Sequence, residues 1–141
     1  MITQTLTTSF KYGLLQGLHI FSTAYLTRYK IALYSSTADL NAATTAYTTT
    51  GEISGTGYTA GGIFVVPTQP ASEGTTAYVS FSDASWTGAS FTAAGALIYD
   101  TYQLNASVAV LNFGGNKTPS NGTFTIQFPT NTSTTALIRI A

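Results

Sequence analysis

The chain of 141 residues contains no cysteine. Disulfide staples and thiolate-held metal sites are therefore excluded, and the fold has to stand on packing and hydrogen bonds. Charge is nearly as scarce. Asp, Glu, Lys and Arg make up 7% of the residues and sum to a formal net charge of zero, against about 25% charged residues in an ordinary soluble domain. A free monomer usually keeps a charged surface and a net charge away from zero. This chain does neither. Its polar residues are neutral, and Thr alone is about a fifth of the total. Such a surface is expected to meet other protein copies over much of its area. The plainer alternative is a secreted protein that simply uses neutral polar residues.

Other absences remove whole classes of function. Lys11, Arg28, Lys30, Lys117 and Arg139 are scattered, so no basic stripe exists to displace counterions from phosphates and no nucleic-acid partner is expected. No apolar run approaches the length of a membrane-spanning helix, so no membrane partner is expected. The opening MITQTLTTSF has neither a basic n-region nor an apolar h-region. No secretory signal is expected there, and synthesis in a cytoplasm is.

Metal and catalytic sites are equally thin. There is one histidine, His19, and Asp39, Glu52, Glu73, Asp83 and Asp100 never fall within three residues of one another. No zinc set, calcium loop or other metal site is expected, and no cofactor. No G-x-S-x-G elbow occurs, GASFTAAG (88–95) lacking the spacing. His19 has no visible partner to make it a general base. GTGYTA (55–60) fits the dinucleotide fingerprint formally, but a strand-like run follows it where a helix is required. Gly55, Gly57, Gly61 and Gly62 are read instead as a tight turn or bulge. The N-x-[ST] strings at Asn105, Asn116, Asn121 and Asn131 are expected by chance in a Thr-rich chain. No catalytic residue is expected, and the chain reads as a non-enzyme.

What is present is β-forming. One helix is expected over 9–21, capped by Thr8 or Ser9, where Phe10, Leu14, Leu18 and Phe21 recur at helical spacing. From Arg28 onward about seven or eight short strands are expected, with turn signals every 8–12 residues or so. RYKIALY (28–34) puts Tyr29, Ile31 and Leu33 on one face. TTAYVSFSD (75–83) does so with Ala77, Val79 and Phe81, and TFTIQF (123–128) with Phe124, Ile126 and Phe128. The expected fold is all-β: an antiparallel β-sandwich, jelly-roll or immunoglobulin-like, with one short N-terminal helix. It forms one domain, 1–141, in which residues 1–27 are a helical or extended arm. The long Thr/Ala-rich connection 36–57 is a second candidate arm.

Nine tyrosines and eight phenylalanines beside so few charges suit protein interfaces. Phe81, Trp86, Phe113, Phe124 and Phe128 are expected in the core. Phe10, Leu14, Leu18, Tyr25, Tyr29, Tyr47, Tyr58 and Tyr102 are the interface candidates, lying on the weak helix or near loops and strand ends.

The block KIALYSSTADLNAATTAYTTTGEISGTGYTAGG (30–62) resembles small virion proteins of tailed bacteriophages, and so does GALIYD…AVLNFGGNKTPSNGTFTIQFPT…ALIRIA (95–141). Together the blocks cover over half the chain. The resemblance implies a structural protein of the phage particle, of the head decoration (cement) kind. Its partners would be the major capsid protein and copies of itself in a homo-oligomer. A small tail or fibre-associated β module that attaches to the host surface or its glycans is the second reading. The resemblance carries no catalytic residues.

Overall fold

The computed structural model describes residues 1–141 as ten strands and one helix. In chain order these are β1 (Thr5–Leu6), α1 (Thr8–Leu15), β2 (Tyr29–Tyr34), β3 (Ile63–Val65), β4 (Ala71–Glu73) and β5 (Thr76–Val79). They continue with β6 (Ala84–Ala89), β7 (Ala93–Asp100), β8 (Ala106–Lys117), β9 (Gly122–Ile126) and β10 (Ile138–Ile140).

The main sheet has five strands in the order β1-β8-β7-β2-β3, every neighbouring pair antiparallel. At its centre all of β7 is buried, so both faces of this sheet are covered. One face carries Tyr29, Ile31, Leu33, Ala96, Ile98 and Val108, which pack in the larger core with Phe81, Trp86 and Phe91. That side is closed by a three-stranded sheet, β10-β5-β4, and a two-stranded one, β6-β9. The expected sandwich is present, with its second layer split in two.

The opposite face carries Ala32, Tyr34, Leu97, Tyr99 and Val110, and a smaller core forms there with Ile2, Ala38 and Leu40. Its cover is the long connection 36–57. The segment is not a projecting arm, because Ala38, Leu40 and Ile53 are buried and the Tyr34 hydroxyl donates to Thr48 O at 2.6 Å. Thr is used so heavily here because its hydroxyls satisfy irregular backbone: Asn41 N donates to Thr44 Oγ1 and Thr50 N to Thr48 Oγ1.

The helix is shorter than its apolar spacing suggests. Thr7 rather than Thr8 or Ser9 caps it, accepting from Phe10 N at 3.3 Å. Gly17, at φ 71°, ends it: Gly17 N donates to Leu14 O and Leu18 N to Gly13 O, the paired bonds of a Schellman stop. Leu18 and Phe21 therefore lie beyond the helix. Residues 1–27 are stitched into the domain. β1 pairs with β8, and Phe10 is fully enclosed in the larger core.

Gly55, Gly57, Gly61 and Gly62 all have positive φ, as the turn reading requires. At Gly62 no other residue fits, since a Cβ would lie 1.8 Å from Ile31 O.

Candidate interaction surface

Three pieces of chain meet at the end of the main sheet where β7 stops and β8 starts. They are α1, the segment 16–28 and the turn 101–105. A buried ionic group ties them together. Asp100, with no exposed surface, accepts from Arg28 Nε at 3.0 Å, Arg28 Nη2 at 2.8 Å and Tyr102 N at 3.0 Å. His19 Nδ1 lies 2.9 Å from the same carboxylate. An ionised carboxylate only accepts, so this ring nitrogen carries the proton and donates. Burial alone would raise the Asp100 carboxyl, but the hydrogen bonds from His19 and Arg28 outweigh it and hold it below the usual range. Burial would likewise lower Arg28, and the bond to Asp100 reverses this. Arg28 Nη2 also donates to Leu18 O at 2.6 Å, which pins the chain after the helix. Tyr25 and Tyr102 lie over the guanidinium, 5.1 and 5.2 Å from it.

The sequence alone showed no partner for His19. The fold supplies Asp100, 81 positions away. The pairing is buried and already saturated by Arg28.

Above this polar knot the surface is rich in exposed apolar side chains, set among exposed Thr8, Gln16, Thr23, Thr27 and Asn105. Of ten exposed large hydrophobic residues in the whole chain, seven lie on these three pieces: Tyr12, Leu15, Leu18, Ile20, Leu26, Tyr102 and Leu104. The only exposed charge on them is Lys11, because Arg28 and Asp100 are spent on each other. No family model, curated protein or solved structure matches the chain. The reading of this surface therefore stands on its own geometry. Exposed apolar side chains gathered at one end of a folded domain make a candidate contact surface.

The eight interface candidates separate cleanly. Leu18 and Tyr102 are exposed at this end, and Tyr25 is half-buried beside them. Leu14 is half-buried and lines a neighbouring apolar groove. Phe10 and Tyr29 are corrections: both are fully enclosed, Phe10 against the rings of His19 and Phe21, Tyr29 stacked on Phe21. Phe10 was chosen for its place on the weak helix and Tyr29 for its place near a strand end, and the chain after the helix folds Phe21 over both.

Tyr47 and Tyr58 belong elsewhere. Both donate to the Glu52 carboxylate at 2.6 Å, and Gly61 N donates to it as well. Burial and the Glu52 bond push both phenols up; burial pushes Tyr99 up to about 12. This cluster locks the 36–57 connection onto the sheet.

Leu26 and Leu104 were not among the candidates. Their signal was a large aliphatic residue inside a turn-like string, where polar residues or glycine are the rule.

The broadest cavity lies at the far end of the molecule, about 670 Å³ in volume. It is lined by Phe113 and Phe124 with Asn116, Thr123, Thr125 and Gln127 around them. No helix is long and apolar enough to cross a membrane.

Proposed function

We propose that this chain is a structural protein of a tailed-phage virion, a decoration subunit that binds and stabilises the assembled major-capsid lattice. The observation that carries the reading is the end rich in exposed apolar side chains, where Lys11 is the one exposed charge. Seven exposed large hydrophobic residues gather there around a buried, self-neutralised ion group. A clamp of this sort performs no chemistry. It binds the assembled lattice and not its parts, and so stabilises the lattice by mass action. Few ions have to be desolvated when such a surface is covered. Burying a cluster of aliphatic and aromatic side chains provides the drive, at about 25 cal/mol per Å² of apolar area. The phage resemblance of residues 30–62 and 95–141 supplies the particle. The partners on this reading are the major capsid protein and further copies of the chain, made in the bacterial cytoplasm and carried in the virion.

The second reading, a tail or fibre module that attaches to host glycans, draws on the open cavity beside β9. Hydroxyls and amides around phenylalanine rings, with Lys117 as the one charged lining residue, suit a saccharide.

Imaging of purified particles, with copy number counted against the major capsid protein, tests the assignment. Density on the head shell at many copies is expected. Density confined to the tail refutes head placement and favours the second reading, and absence from the particle refutes both.

A further inference from the structure

We infer that the turn 103–106 and the apolar groove beside α1 are two halves of one contact between copies of this chain, in which Leu104 of one copy enters the groove of the next.

The first half is a residue at odds with its own backbone. Ala106 N donates to Gln103 O at 2.9 Å, closing a tight turn. Its two central residues, Leu104 and Asn105, have φ 53° and 58°. Turns with both central residues left-handed take Asn, Asp or Gly at the first of them. Asn105 suits its place, but Leu104 does not, and its side chain is 96% exposed. A bulky aliphatic group held in a disfavoured conformation and pointed into water contributes nothing to its own fold. Strain of this kind is found where something outside the fold uses the side chain.

The second half is a hole of matching size. The β10–β5 register sets Ile138 beside Val79 and Ile140 beside Ala77 on one face of the small sheet. Leu14 and Phe21 stand opposite them, and the groove between is about 140 Å³. A dry apolar cavity of about 150 Å³ is enough to hold a benzene ring, so this groove takes one leucine side chain.

Two further observations favour a copy of the same chain as occupant. Neither the groove lining nor the turn carries a charge, and the net charge of zero lets copies approach without repulsion. The turn is also absent from the lining of the groove, so a molecule does not fill its own hole. Knob and hole are different patches, which makes the contact heterologous: it builds a ring if the rotation closes and a filament if not. The inference rests on the assembly reading only in expecting several copies to act together. It is tested on purified protein without particles, so its failure leaves the particle-imaging result standing, and the reverse.

The experiment is sedimentation of the purified full chain across roughly two decades of concentration, up to several hundred micromolar. The wild type is expected to associate beyond a dimer as concentration rises. Leu104→Asp removes the knob, and Leu104→Asn does so with a residue that suits the turn. Ala77→Phe fills the hole from an exposed position. Each is expected to weaken association about tenfold or more, the scale of one buried leucine, with the circular dichroism spectrum unchanged. An equimolar mixture of Leu104→Asp and Ala77→Phe keeps one intact knob and one intact hole, and is expected to form a complex that stops at a dimer. A wild type monomeric throughout, a knob variant that associates as the wild type does, or a mixture that stays monomeric overturns the inference.

Discussion

Replacing Asp100 by Asn keeps the shape of the side chain and removes its charge. In the folded protein the carboxylate holds Arg28 through three contacts of 2.8–3.1 Å, with His19 and Tyr102 N completing its shell. Without the charge, Arg28 stays buried with no counterion, and an amide hydrogen faces guanidinium donors. Breaking a buried pair from one side costs about 3–5 kcal/mol. A domain has only about 5–15 kcal/mol to lose. At this length 1 kcal/mol moves the midpoint by about 3–4 °C, so Tm is expected to fall by roughly 10–20 °C. The single tryptophan, Trp86, is buried in the larger core and reports urea unfolding directly. The pH dependence gives an independent check. The folded carboxyl titrates below its unfolded value, so its contribution is complete above about pH 4 and lost as pH falls through the folded value. That acid-sensitive step is expected in the wild type and absent in Asp100→Asn. The double variant Arg28→Met, Asp100→Leu removes both charges and is expected to be more stable than Asp100→Asn alone. A loss under about 1 kcal/mol in Asp100→Asn, or a double variant that is the less stable of the two, would refute the reasoning.

Other outcomes follow from separate features. Leu104→Asn relieves a left-handed leucine and is expected to raise stability by about 1 kcal/mol, measured by urea unfolding. Gly62→Ala sets a methyl against Ile31 O and is expected to cost well over about 1 kcal/mol or to prevent folding, seen as loss of the unfolding transition. Deletion of residues 1–21 removes β1, Phe10 and His19 together, and is expected to abolish cooperative unfolding rather than leave a trimmed β domain. In alkali, the raised phenols of Tyr29, Tyr34, Tyr47, Tyr58 and Tyr99 stabilise the fold below about pH 10, where unfolded tyrosine begins to ionise. That contribution is lost as pH rises further. Phenolate absorbance of these residues is therefore expected to appear together with unfolding rather than as a separate titration at about pH 10.

Alternation was the strongest signal in the sequence, and it holds where a strand is regular. Tyr29, Ile31 and Leu33 share one face of β2 as spaced, and Phe124, Ile126 and Phe128 pack against the same core. It says nothing about the other face. Ala32 and Tyr34, on the face the alternation left unassigned, are buried too, because the irregular 36–57 segment lies over them. No periodic pattern marks a loop as a cover. The helix was misjudged at its end for a related reason: apolar spacing ran through Gly17, and the left-handed stop there outranks spacing. The ion group was invisible because its members lie up to 81 positions apart. Only the register of β2 against β7, which sets Tyr29 opposite Asp100, brings Arg28 to the carboxylate. At the apolar end, Leu18 was legible as an apolar residue of the weak helix, and Tyr25 and Tyr102 as aromatics near strand ends. Phe10, chosen on the weak helix, and Tyr29, chosen near a strand end, were drawn inside.

The long strand β8 fixes the polarity of the whole molecule. It starts at the apolar end and runs for twelve residues, with an irregularity between Asn112 and Lys117 where Gly114 and Gly115 take positive φ. It delivers the loop 118–121 to the opposite pole, where Thr118, Ser120 and Asn121 are exposed. If the apolar end is the seated one, as proposed, this loop faces away from the contact. A foreign peptide spliced between Pro119 and Ser120 would hang outward from every seated copy, on a scaffold with no native thiol to interfere with cysteine-directed labelling. On the proposed reading the protein is a carrier, attached at one pole and open to rewriting at the other.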